Sequence, residues 1–188
     1  MTFAKILGRV AIAGALWSLA CSGCSAPPSD GRYAQTSLPD AVTFSPVATL
    51  LVVRCGSLEC HGTVARNLRL YGSAGLRWSP TDRPLVPACD TSAEVAQDYE
   101  SVLGLEPEAL SAVVASHASS PDALTMVRKA RGVEAHKGGQ IWTAGDESDT
   151  CLVSWLAGAA NANACASGLA AVLPGGSSNP LVRCVSQP

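Results

Sequence analysis

The sequence predicts a mainly α, small helical domain with long loops, stapled by disulfides. Three observations carry that expectation. Apolar residues recur at helical spacing behind recognisable helix starts, the stretches between them are rich in Gly, Pro and Arg, and several cysteines lie downstream of an export signal. Pro46–Arg54 (PVATLLVVR) is a short apolar run introduced by Ser-Pro, which suits a helix start. Thr91-Ser-Ala-Glu94 has the form of a capping box ahead of AEVAQDYESVL, and Glu106–Ser116 carries proline near its start and apolar residues at helical spacing. Ser120-Pro-Asp opens a third such segment, with Leu124, Met126 and Val127. Asp146–Gly158 opens acidic and closes on glycine, as the helix dipole favours. AHKGGQIW, between these last two, reads as a loop. Residues 65–87 should wrap over the core, with only LRLY looking extended. There is no internal repeat.

The N-terminus reads as an export signal. Lys5 and Arg9 precede an apolar run from Val10 to Ala20, too short for a comfortable membrane span. Its end, Cys-Ser-Gly-Cys at 21–24, resembles the lipobox of bacterial lipoproteins, in which small residues precede a cysteine that is acylated. Cys24, behind Ser22 and Gly23, is preferred to Cys21, and the choice leaves an even set of six cysteines at 55, 60, 89, 151, 165 and 184. Ordinary cleavage near the same junction is the alternative. The resemblance implies an exported, membrane-anchored product of the cell envelope. The organisation expected is a lipoprotein signal peptide at 1–24, a flexible Pro/Ser/Gly-rich tether at 25–42, the main domain at 43–160 and a Cys-closed tail at 161–188. A net charge of −2 and few aromatic residues give no case for nucleic acid.

Chemistry concentrates in RCGSLECHG, residues 54–62. Covalent attachment of c-type haem needs two thiols and an imidazole directly after the second, usually as C-x-x-C-H. Cys55, Cys60 and His61 supply these groups with a four-residue gap, which Gly56 and Ser57 can turn into a bulge. A local Cys55–Cys60 disulfide is the competing reading, and spacing alone leaves both open. With His61 as one axial ligand, an electron-transfer haem calls for a second His or Met from a distant part of the chain. Beyond the motif the chain offers Met126, His117 and His136. His136 sits beside paired glycines that let the backbone approach a flat group, Met126 lies on an apolar helical stripe, and His117 reads as a solvated helix-end histidine.

Taken together, CGSLECHG, RNLRLYG, PDALTMVRKARGVEAHKGGQIW and CLVSWLAGA resemble the small cytochrome c-like domains of secreted and lipid-anchored proteins of myxobacteria and planctomycetes. Those domains run from a Cys/Cys-His-Gly haem motif through a leucine-rich turn to an H-x-G-G element and a final Leu-x-x-Trp helix. The resemblance spans residues 43–160. It implies haem c on Cys55, Cys60 and His61, and His136 as the leading sixth ligand with Met126 as the alternative. The four-residue gap and Cys151, in the final helix, depart from the pattern.

With Cys55 and Cys60 assigned to haem, Cys89, Cys151, Cys165 and Cys184 remain for two disulfides, open to three pairings. A local arrangement is expected, with Cys165 joined to Cys184 across the tail and Cys89 to Cys151. A zinc site is the weaker use of these residues, since no second C-x-x-C or paired histidine is present. Arg66, Arg69, Arg77 and Arg83 follow the motif and could meet haem propionates or simply face water. The chain has no G-x-S-x-G, H-E-x-x-H or P-loop, and Asp146, Glu147 and Asp149 read as helix N-terminal charges, so an electron carrier is expected rather than an enzyme. Two function classes therefore stand. One is a c-type electron-transfer lipoprotein serving a redox partner protein; the other is a haem-free, disulfide-stapled surface lipoprotein with a binding or structural role.

Overall fold

A computed structural model of the chain describes residues 36–82 and 89–185. Cys21, Cys24, the expected signal peptide, most of the expected tether and Arg83 lie outside the described residues. Among the described residues there are seven α-helices: α1 (Ser45–Cys55), α2 (Ser92–Leu103), α3 (Pro107–Ala115), α4 (Thr125–Ala130), α5 (Glu147–Leu156), α6 (Ala162–Ala170) and α7 (Pro180–Val185). No strand occurs among the described residues, only an isolated bridge between Tyr71 and Leu76. No described helix is long and apolar enough to cross a membrane.

Helix α1 is the hub. Its apolar run is continuous rather than striped, and the helix is buried on several sides, with Val47, Ala48, Thr49, Leu50, Leu51 and Val52 all inside. Helices α2, α5, α6 and α7 pack around it. The expected capping box is present in α2: Thr91 accepts from the Glu94 N–H, and Glu94 accepts from the Thr91 N–H. Asp146 caps α5 by accepting from the Asp149 N–H. Ser120-Pro-Asp does not begin an α-helix. It forms a 3-10 turn at Pro121–Ala123, and α4 starts at Thr125, whose N–H and hydroxyl both donate to Glu106. After α3 the chain reverses through His117 and Ala118, both in the left-handed region with φ of 51° and 54°.

Two boundaries differ from the compositional reading. Residues 36–42 lie against the domain: the Ser37 N–H donates to Ser111, and the Pro39 and Asp40 carbonyls accept from the Tyr99 hydroxyl and the Trp155 indole. Phe44, Tyr99 and Trp155 form the aromatic cluster behind this contact. Residues 161–185 are not a loose tail, because α6 and α7 place Cys165, Leu169, Val182 and Val185 in the main core. Alanine-rich ANACASGLA behind an Asn161 cap is a good helix former, and Gly168 lets α6 press against Ser148 of α5.

That helical tail corrects the disulfide pairing. The four expected cysteines are bonded, but as Cys151–Cys165 and Cys89–Cys184. With α6 packed back on α5, Cys165 faces inward to Cys151, both fully buried, and cannot reach Cys184 across an open loop. Cys184 on α7 instead meets Cys89 ahead of α2. In the chain-entropy account, links of these spans contribute about 3 and about 4–5 kcal/mol. Two disulfides suit an oxidising, extracytoplasmic compartment.

The wrapping segment is hung on carboxylates of α2 and of Asp90 just ahead of it. Glu94 is buried and accepts two bonds from Arg77, while Asp98, also buried, accepts from the Tyr71 N–H at 2.7 Å and Asp90 from the Ser73 N–H at 3.1 Å. Burial pushes Asp98 up to about 8 and Asp90 up to about 6, against the backbone bonds that pull them down. The folded state thus retains protons that the unfolded chain has already released. This costs stability progressively as pH rises from about 4 to about 8. Asp98→Asn keeps the acceptor for Tyr71 and removes the titration. We expect it to raise Tm by a few degrees at pH 8 and to leave it nearly unchanged at pH 4, as scanning calorimetry at the two pH values would read.

Candidate functional site

The last turn of α1 delivers Cys55 to the wall of a cleft of about 750 Å³. The next residues fold as one tight turn. The Ser57 carbonyl accepts the N–H groups of Cys60 and Gly62, and the Cys55 carbonyl accepts that of His61, each at 2.9 Å. Ser57, Leu58 and Glu59 therefore bulge into solvent, while Cys60 and His61 return to the end of α1. Gly56 contributes in another way than the sequence implied. It is buried at an ordinary negative φ, and its carbonyl lies so close to Gly62 and Gly75 that a Cβ on either would overlap it. Three strands of backbone meet here without side chains.

His61 points its ring at the cleft and is tied from behind, its Nδ1 2.9 Å from the Leu68 carbonyl. A carbonyl accepts only, so Nδ1 carries the proton and Nε2 keeps its lone pair. Burial holds this imidazole below its ordinary pKa, partly offset by the Leu68 bond and reinforced by the nearby cationic groups and His136. A neutral ring is the ligating form.

The opposite lip comes from α4 and the loop after it. Arg131 locks α4 to the start of α5 through paired bonds to Asp149 at 2.8 Å and one to Asp122. The Ala130 carbonyl accepts the N–H groups of Ile141 and Trp142, which closes the loop. Within it, His136 donates from Nδ1 to the Gly139 carbonyl at 3.2 Å. Gly139 needs its positive φ of 69°, and a side chain on Gly138 would press on the His136 ring. The two imidazole rings lie 6.0 Å apart between centroids at 26° between planes.

The cleft thus brings together five sequence-predicted residues: Cys55, Cys60, His61, His136 and Met126. Cys55 and Cys60 are free thiols, not a disulfide, and burial pushes the Cys55 thiol up to about 12. His117 is elsewhere, exposed and bonded to the Ala157 carbonyl at the end of α5. Of the arginines, Arg66 lines the cleft, whereas Arg77 is committed to Glu94 and Arg69 to the Val64 carbonyl. Asp146 and Asp149 serve as cap and ion-pair partner, as helix N-terminal charges should. Among the described residues, no three His, Cys, Asp or Glu side chains converge on a bare metal ion.

Sequence reasoning missed Lys129, Lys137 and Trp142, all of which line the cleft. Trp142 is almost fully buried, yet its indole N–H has no partner. A buried donor left in this way costs about 1–3 kcal/mol unless a ligand supplies the acceptor. No sequence signal marks it beyond the presence of a tryptophan in a glycine-rich loop. The site therefore has apolar walls from Leu51, Leu68, Leu105 and Ile141, two thiols, two imidazoles whose Nδ1 atoms each meet a backbone carbonyl, an unpaired indole donor and cations at the rim. A flat, apolar, iron-bearing ring with acidic substituents fits this set. Compared with known proteins, the chain matches no family model, no curated protein and no solved structure.

The glycine contact is the mechanical requirement of the first lip. Gly62→Ala is expected to cost about 1–3 kcal/mol in urea unfolding by overpacking. Leu58→Ala, on the exposed bulge four residues away, should stay within about 0.5 kcal/mol of the parent.

Proposed function

We propose that this chain is a c-type haem-binding electron-transfer protein of the cytochrome c-like class, exported and lipid-anchored through Cys24 (or Cys21) to a membrane of the cell envelope. The observation that carries the reading is the pair His61 and His136. Their rings are 6.0 Å apart, each has Nδ1 bonded to a backbone carbonyl, and Cys55 and Cys60 stand in the same cleft. A backbone carbonyl that accepts the Nδ1 proton orients an imidazole and strengthens its donor nitrogen.

Cys55 and Cys60 would hold haem c as thioethers, and His61 and His136 would hold its iron. When bound, the haem supplies one-electron chemistry between ferric and ferrous states. The chain's own residues do the rest. Leu51, Leu68, Leu105 and Ile141 exclude water, the Trp142 indole and the Arg66, Lys129 and Lys137 cations meet acidic substituents, and the two carbonyls hold the imidazoles in place. With His61 and His136 both able to hold the iron, the chain would leave no open position for a substrate, which favours a carrier over a catalyst. A redox partner protein completes the function. Met126, on the cleft wall, is the second candidate for the sixth position.

Attachment is tested on protein exported through a functioning haem-ligation pathway. Haem should survive denaturation and acid-acetone extraction, and Cys60→Ala should weaken its retention. Colourless protein with a Cys55–Cys60 disulfide on peptide mapping would overturn the reading in favour of the haem-free surface lipoprotein.

Ligand identity has its own signature. His136→Ala should convert the iron to high spin or open it to carbon monoxide, while Met126→Leu, close in volume, should leave the spectrum nearly intact. The long-wavelength ferric band of methionine ligation in the parent protein would reverse the assignment. Bis-histidine ligation also implies a lower potential than histidine–methionine.

A further inference from the structure

The segment Leu68–Tyr71 joins the candidate haem ligand to helix α2. Its backbone groups alternate sides, as in a strand, although no strand occurs among the described residues. Toward the cleft, the Leu68 carbonyl accepts from His61 Nδ1, and the Leu70 N–H donates to the His61 carbonyl, both at 2.9 Å. Toward α2, the Arg69 N–H donates to the Ser101 hydroxyl at 2.8 Å and the Tyr71 N–H to Asp98 Oδ1 at 2.7 Å. Asp98 and Ser101 are three residues apart and so share one face of α2. Two helix side chains thus take the place of a neighbouring strand.

We propose that Asp98 and Ser101 are positioning residues for the His61 ligand, holding Leu68–Tyr71 in place so that the Leu68 carbonyl fixes the tautomer and orientation of the imidazole. Neither touches the ring or the cleft. Their effect on it passes through two backbone bonds on either side of one residue, Arg69. The effect on haem rests on the haem reading above; the effect on the imidazole does not. A strong Nδ1–H···O=C bond makes Nε2 a better donor to ferric iron, so slackening it raises the potential.

The test uses the full chain carrying Ser101→Ala, Asp98→Ala or Asp98→Asn. In haem-free protein, nitrogen-15 NMR of the His61 ring reports the tautomer. The parent and Asp98→Asn, which keeps the acceptor for Tyr71, should show one Nδ1-protonated form, whereas Ser101→Ala and Asp98→Ala should show a mixture. In haem-bearing protein, the same two variants should shift the midpoint potential upward, with rescue by Asp98→Asn. If Asp98→Ala does not fold, Ser101→Ala decides. Parent-like ring shifts in folded Ser101→Ala overturn the proposal, as does an Asp98→Asn variant that behaves like Asp98→Ala. A parent protein that never takes up haem defeats the electron-carrier reading alone, and the tautomer measurement still decides the positioning role.

Discussion

Helix α1 is enclosed by four other helices, and its immobile C-terminal turn sets the position of everything on one side of the cleft. A helix buried on this scale cannot slide or rotate without opening voids among Leu50, Leu51 and their neighbours. Its last carbonyls and Gly56 then become fixed points. The Gly56 carbonyl wedges between Gly62 and Gly75, and the Cys55 carbonyl receives the His61 N–H. The orientation of His61 is in this sense a consequence of packing more than ten ångströms of helix behind it.

Polar groups under the wrapping segment play the part that a sheet plays in other folds. Along residues 69–78 the N–H groups of Arg69, Tyr71, Ser73 and Trp78 go to side-chain oxygens of Ser101, Asp98, Asp90 and Glu94, while those of Leu70, Gly72, Gly75 and Leu76 go to backbone carbonyls. Buried backbone donors demand acceptors, and a carboxylate is a strong one. The cost is visible in the raised pKa values of Asp90 and Asp98, and in carboxylate oxygens that have no partner. The two disulfides offset such costs by restricting the unfolded chain, one inside the α5–α6 pair and one joining α7 to the start of α2.

The two lips of the cleft are held by independent devices. The first lip is a matter of backbone contact and the segment braced on α2. The second depends on Arg131, whose bonds to Asp149 and Asp122 tie α4 to α5, and on the turn closed by His136 and Gly139. Because Asp149 also accepts the Gly145 N–H, the loop after the His136 turn and the start of α5 share one anchor. The two imidazoles are thus braced separately, each by its own backbone carbonyl.

What could be read from the sequence was local. The capping box at Thr91 and Glu94, the proline at the start of α1, the acidic cap at Asp146 and the glycine pair after His136 each act within a few residues, so their chemistry is written in adjacent letters. That Cys55, Cys60 and His61 would stand together was legible for the same reason. The tertiary structure alone decided which distant groups meet: His136 with His61, Trp142 at the cleft wall, Arg77 with Glu94, Cys151 with Cys165 and Cys89 with Cys184. The tail misled because glycine, serine and proline near residues 174–180 separate α6, a good helix former by composition, from the short α7, and the burial of both is tertiary: α6 packs on α5 and α1, and α7 on α6 and α1. Pairings between residues far apart in the chain depend on how helices pack, and helix packing depends on side-chain volumes summed over the whole core, which no short window of sequence contains.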